Sequence, residues 1–142
     1  DDFARPKIVY MEIQTDNPKE GYPFPCFSYD GGNSIVLNTA YIMCSDSIDV
    51  RYILGVLNSS VGRIIAKLYT TQLQERQFRM LAQSIVNFPI VKATAAVQNK
   101  VIELVQEKLA QKDVNAEIDR IVYDLYGFNH FEISYIDNLV LK

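Results

Sequence analysis

The chain has 142 residues, 49% of them apolar and 22% charged, with a formal net charge of −3. That composition suits one globular domain with a core large enough to need no staples, and it argues against nucleic-acid binding through bulk charge alone. No apolar run approaches the length of a bilayer span, and Asp1-Asp2-Phe3 lacks the basic-then-apolar pattern of a signal peptide, so a cytoplasmic, non-membrane setting is expected. The charge is unevenly spread. Acidic and basic residues cancel through Lys92, and the deficit falls after it. Between Val61 and Arg79 lie Arg63, Lys67, Arg76 and Arg79, against Glu75 alone. A phosphate backbone responds to such a local cluster more than to the whole-chain sum. Asp1, not Met, opens the chain, which reads as a piece of a longer protein.

Residues 7–14 are apolar and β-branched at Ile8, Val9 and Ile13, which predicts a strand buried on both faces. Residues 15–25 carry Asn17-Pro18, Gly21, Pro23 and Pro25 and predict a loop. A short strand is expected over 26–29, a turn at Asp30-Gly31-Gly32-Asn33, and a returning strand over 34–43, together a hairpin. Asp46 or Ser47 can cap a helix to about Leu57, with Val50, Ile53, Leu54 and Leu57 on one face. Asn58-Ser59-Ser60 interrupts it, and Val61, Ile64, Ile65 and Leu68 mark a second short helix. Residues 70–79 are polar and Gln-rich. Residues 80–91 are apolar again, with Pro89 restricting them to a strand end or edge.

Thr94 predicts the cap of a long helix to about Lys112, striped by Val97, Val101, Leu104, Val105 and Leu109. A second helix carries Val114, Ile118, Ile121, Val122 and Leu125, with Gly127 at its C′ position. Asn129 and Glu132 form a capping pair for a terminal helix. The fold class is therefore α+β. Residues 1–92 form a lobe with a small mixed β-sheet and short helices, and residues 93–142 form a helical hairpin plus a terminal helix, all within one structural domain.

Catalytic constellations are not found. His130 is the single histidine and sits beside an expected cap. Cys26 and Cys44 lie in apolar stretches without ligand spacing, so they are expected to be buried thiols, and no zinc site can be built from them. Asp30-Gly31-Gly32-Asn33 lacks the Lys-Ser/Thr of a phosphate loop. Neither catalytic nor metal-binding residues are assigned.

Four signatures occur in fixed order: Lys7-Ile8-Val9-Tyr10-Met11-Glu12-Ile13, Tyr52-Ile53-Leu54-Gly55-Val56-Leu57-Asn58-Ser59-Ser60, Phe88-Pro89-Ile90-Val91, and Ile118-Asp119-Arg120-Ile121-Val122-Tyr123-Asp124-Leu125-Tyr126-Gly127. In this order they resemble the C-terminal specificity domain of TaqI-like adenine-specific DNA methyltransferases and of the fused type II restriction-modification enzymes related to them. The layout is also similar to one half of a type I restriction specificity subunit. The resemblance implies a target-recognition domain that binds double-stranded DNA. The chemistry would lie in a catalytic methyltransferase domain of the same chain, with S-adenosylmethionine as the parent's cofactor and none in this fragment. That family carries an Asn-Pro-Pro-Tyr-type motif in its catalytic part. Asn17-Pro18-Lys19-Glu20 lacks its second proline and its aromatic residue.

The resemblance directs attention to residues 70–79. Arg can bind guanine O6 and N7 together, and Gln can bind adenine N6 and N7. Gln72, Gln74, Arg76, Gln77 and Arg79 are thus the expected base contacts. Arg63 and Lys67, spaced i, i+4 on one helical face, are the expected phosphate contacts. Ser28, Tyr29, Asn33 and the 15–25 loop are rivals on the same grounds. In the resembled family the later helices act as a spacer that packs against the catalytic part or against another half. This would place residues 114–126 at a domain contact and give the isolated fragment an apolar patch favouring a homodimer. The alternative reading is a helical protein-interaction module that docks on a partner subunit without reading DNA.

Overall fold

The computed structural model describes residues 4–17, 19, 23–32 and 40–140, the side chains of 139 and 140 excepted. Its α+β architecture holds two three-stranded antiparallel sheets and six helices. The expected strand over 7–14 divides at Glu12 into β1 (Lys7–Met11) and β2 (Ile13–Thr15). Each half serves a different sheet. The Glu12 carbonyl accepts from Met80 N at 2.6 Å and closes the break.

The first sheet places β1 between β3 (Phe27–Asp30) and β4 (Ala40–Met43). The expected hairpin of these outer strands is therefore corrected: both pair with β1, and among the described residues not with each other. The physical reason is burial. Three of the five β1 residues, Lys7, Ile8 and Tyr10, are strongly buried, and β1 occupies the centre, where both backbone edges are paired. Register sets Phe27, Tyr10 and Tyr41 side by side across the sheet. The Tyr10 ring packs tilted on Phe27 at 5.4 Å and stacks on Tyr41 at 5.6 Å. Residues 33–39, most of the expected 34–43 strand, lie outside the described residues. Cys26 is exposed and Cys44 half-buried, which corrects the expectation of two buried thiols.

Helix α1 (Val50–Leu57) starts later than expected, with Asp49 as its cap accepting from Arg51 N. It is buried nearly all round, because β3 and β1 cover one side and α4 (Ala95–Leu109) the other. Gly55 permits that approach: a Cβ there would stand 2.6 Å from Val101 Cγ1. Ser59 then caps α2 (Ser60–Tyr69), and Gly62 lies so close to the end of α1 that a Cβ would stand 2.1 Å from the Leu57 carbonyl oxygen.

Residues 80–91 form no strand. A four-residue helix, α3 (Ala82–Ile85), and local turns satisfy their backbone, while Met80, Ile85 and Phe88 point into the core. Two tyrosines strap this segment down. Tyr52 donates to the Val91 carbonyl at 2.6 Å and Tyr126 to the Pro89 carbonyl at 2.5 Å.

The helical half follows its sequence signals. Thr94 accepts from Val97 N at the start of α4. Helix α5 (Asn115–Tyr126) ends at Gly127, whose φ of 71° closes the helix in the left-handed region. Asn129 and Glu132 cap α6 (His130–Val140) reciprocally, at 3.0 and 2.9 Å. The α5 stripe of Ile118, Val122 and Tyr123 is buried within this chain. Those side chains fill the fold's own core, while Glu117, Arg120 and Asp124 on the same helix stay exposed. No described helix is long and apolar enough to cross a membrane.

Replacing Gly62 with Ala is expected to destabilise the fold by about 1–3 kcal/mol, because the Cβ meets backbone oxygen that cannot rotate away. A denaturant melt of the purified variant measures it. A midpoint equal to wild type would contradict the close helix approach.

Candidate nucleic-acid interface

The polar segment of residues 70–79 is a β-hairpin. Strands β5 (Thr71–Gln74) and β6 (Gln77–Arg79) are joined by Glu75-Arg76, and β2 pairs with the far edge of β6. Leu73 is the irregularity in the pairing, since Gln72 faces Phe78 and Gln74 faces Gln77. The Gln72 side chain donates to the Glu75 carbonyl at 2.7 Å and braces the turn.

Alternation divides the expected base-contact residues between two sides. Phe78 is 6% exposed and packs on Phe24 at 5.1 Å, so that face is inward. Beside it, Gln14 is buried, bridging the Cys26 backbone as both donor and acceptor. Gln77 and Arg79, two residues apart, look outward. Register adds Thr71, Gln74, Ile13 and Thr15 to the outer face. Ile13 and Arg79 are about half exposed there, at 51% and 46%. Gln72 and Arg76 instead border a small cavity of about 340 Å³ with Asp16 and Lys67.

Arg63 and Lys67 do share a helical face, as their spacing predicts, but the structure turns that face toward Asp16. Arg63 is 6% exposed, and one of its terminal nitrogens meets both Asp16 oxygens at 2.7 and 2.8 Å. Lys67 Nζ lies 2.5 Å from Asp16 Oδ2 and keeps a third of its side chain in solvent. Arg76 reaches the Asp16 carbonyl at 3.1 Å, and Asp16 N donates to the Arg76 carbonyl at 2.8 Å. Asp16 carries no motif that marks it in the sequence. Its signal is a lone acid directly after a strand, which is not distinctive. Burial alone would raise its pKa, but hydrogen bonds from Lys67 and Arg63, together with their charges, outweigh burial and hold the carboxyl below its ordinary value.

At the other end of β2, Glu12 makes a second ionic group. Tyr41 donates to Glu12 Oε1 at 2.6 Å, and Arg79 Nε lies 3.7 Å from Glu12 Oε2. The hydrogen bond to Glu12 pushes the Tyr41 phenol up. Of the rival residues, Ser28 and Tyr29 lie on the edge strand β3, away from the hairpin sheet. They line a separate cavity of about 520 Å³ with Asn58, Lys108 and Asp119. Asn33 lies outside the described residues. Among those described, no group of three or more His, Cys, Asp or Glu could hold a metal ion.

A family profile described as the TaqI-like C-terminal specificity domain matches residues 2–90. A type II methyltransferase of Pseudomonas aeruginosa, M.PaeR7I, is 28% identical over 131 residues, which is 92% of this chain. The chain spans about a fifth of that protein, 21% of its length.

Asp16→Ala is expected to cost about 3 kcal/mol, because it strands the buried Arg63 while Lys67 can still reach water. The wild type should show an acid limb of its own. The folded pKa of Asp16 is depressed, so its contribution is complete above the ordinary value of about 3.9 and disappears as pH falls through the folded value. Denaturant melts from pH 7 to 2 check both. Equal acid limbs in wild type and Asp16→Asn would remove the ion group from the account of stability.

Proposed function

The chain belongs to the TaqI-like C-terminal specificity domains, and from that membership we propose that it reads DNA sequence for an adenine-N6 methyltransferase of a type II restriction-modification system. The observation that carries the reading is the hairpin of β5 and β6, whose outer face sets Gln74, Gln77 and Arg79 in one row. A two-stranded β-ribbon fits the major groove, about 12 Å wide, where each base pair shows a distinct set of donors and acceptors. Gln74, Gln77 and Arg79 would contact base edges from that face. Gln72 and Arg76 border the groove beside Lys67 and would reach bases or backbone at the hairpin's flank. Lys67 is retained as a phosphate contact. Arg63 supports the site from beneath, since burial and Asp16 hold it away from a phosphate.

Catalysis belongs to the rest of the parent, which would flip an adenine and methylate it with S-adenosylmethionine in the cytoplasm.

A second reading, a helical module that docks on protein, has its own observation. Phe131 and Tyr135, one turn apart on α6, are 87% and 66% exposed. Salt separates the two. Phosphate contacts make log affinity fall with log salt at about −0.9 per contact, and an apolar docking face shows little slope. The full-length parent is expected to show a steep slope, reduced by about 1 in Lys67→Ala with its preferred sequence intact. Gln77→Ala with Arg79→Ala is expected to relax the sequence preference by about tenfold or more per lost contact while leaving thermal stability nearly unchanged. Selection from a random duplex pool reads the preference. An unchanged motif in the double variant would take base reading away from this face.

A further inference from the structure

Resting on the sequence-reading role above, we propose that Arg79 reads a guanine and that Glu12 and Tyr41 are the positioning residues that aim it. An acid beside a surface meant for phosphates is unfavourable unless something neutralises it and it serves the contact. Glu12 is such an acid. It sits at the bend between β1 and β2, with one carboxylate oxygen 3.7 Å from Arg79 Nε and the other accepting the Tyr41 hydroxyl at 2.6 Å. Among the described residues, no other side chain pairs with Arg79.

The support runs back into the core. Tyr41 stacks on Tyr10 at 5.6 Å, and Tyr10 is 4% exposed and packs on Phe27. Glu12 is therefore held from a rigid sheet, and its charge stands within ion-pair range of Arg79 but beyond hydrogen-bond distance. The carboxylate lies at the Nε edge of the guanidinium. A guanidinium has five N–H donors in a fixed plane, so a carboxylate facing its Nε edge leaves the two terminal nitrogens for a ligand. Ile13 and Thr71, which flank Arg79 in register, carry no charge to compete for them. Guanine offers two acceptors, O6 and N7, on its major-groove edge; adenine offers one acceptor and one donor. A fork with donors alone selects guanine.

The test uses the full-length parent and the motif it selects from a random duplex pool. Each guanine in turn is replaced by 7-deazaguanine, which removes the N7 acceptor. At one guanine the replacement is expected to weaken wild type about tenfold and to leave Arg79→Ala unaffected. Glu12→Gln and Tyr41→Phe are expected to blunt sensitivity at that same guanine, Glu12→Gln more than Tyr41→Phe. Both should keep the wild-type melting temperature and the wild-type response at every other position. If no guanine shows the cancellation in Arg79→Ala, the guanine assignment is overturned. If Glu12→Gln and Tyr41→Phe weaken all positions equally, their positioning role is overturned. Failure of wild type to select any sequence would instead overturn the sequence-reading role on which the proposal rests.

Discussion

One buried carboxylate ties the hairpin sheet to helix α2. Asp16 follows β2, pairs its backbone with Arg76 at the hairpin turn, and sends its side chain into Arg63 and Lys67 of α2. Apolar packing at Phe78 also joins the two, but it is non-directional and would tolerate a slide of the sheet across the helix. An ion group with fixed hydrogen bonds does not tolerate it. Ionic burial at such a site adds little net stability against a well-packed apolar substitute, because desolvation consumes most of the Coulomb gain. Its value lies in register. The proposed recognition face would need placement to within about 0.5 Å, which a charged clamp beneath the hairpin can supply.

The polar residues of the signature segments do similar work elsewhere. Asn58 pairs its side-chain amide with both backbone groups of Phe27, at 3.1 and 2.8 Å, and so acts as a short extra strand on the edge of β3. Ser59 caps α2, and Ser60 binds Asp119 of α5 through backbone and side chain. Tyr52 and Tyr126 hold the Phe88-Pro89-Ile90-Val91 segment from two different helices. Each signature is thus a joint between elements far apart in sequence. The apolar residues around them fill volume, and these few hydrogen bonds specify which element meets which.

How much of this was legible depends on the physics of each element. Caps and stops in the helical half rest on local chemistry, so Thr94, Gly127 and the Asn129–Glu132 pair could be assigned from the residues alone. Strand pairing is non-local. The Asp30-Gly31-Gly32-Asn33 turn suggested a hairpin, yet β1, more buried and more distant in sequence, takes the position between the two strands. The β5–β6 hairpin was missed for the opposite reason. Its two-residue turn is Glu75-Arg76, without the Gly or Asn that marks such turns, and neither residue has a positive φ. For the site, spacing placed Arg63 and Lys67 on a shared face correctly. It could not show that Asp16, 47 residues from Arg63, waits there. Tyr41 and Glu12, 29 residues apart, escaped for the same reason.

The hairpin also separates two demands that usually conflict. Along β6 the side chains alternate between core and solvent, so Phe78 carries the packing while Gln77 and Arg79 face outward, where the proposed contacts would be made. Truncating a buried aromatic costs about 3–5 kcal/mol, whereas a change on a solvent face away from such features stays within about 0.5 kcal/mol. The outer row can therefore change its donors and acceptors with little consequence for the fold, provided that Phe78, Gln14 and the Asp16 clamp stay in place. Arg79 is the qualified case, because Glu12 and Tyr41 are shaped around it. A different residue at 79 would leave Glu12 without its counter-charge, so under the proposed reading a change of specificity at this position would need a change at Glu12 as well.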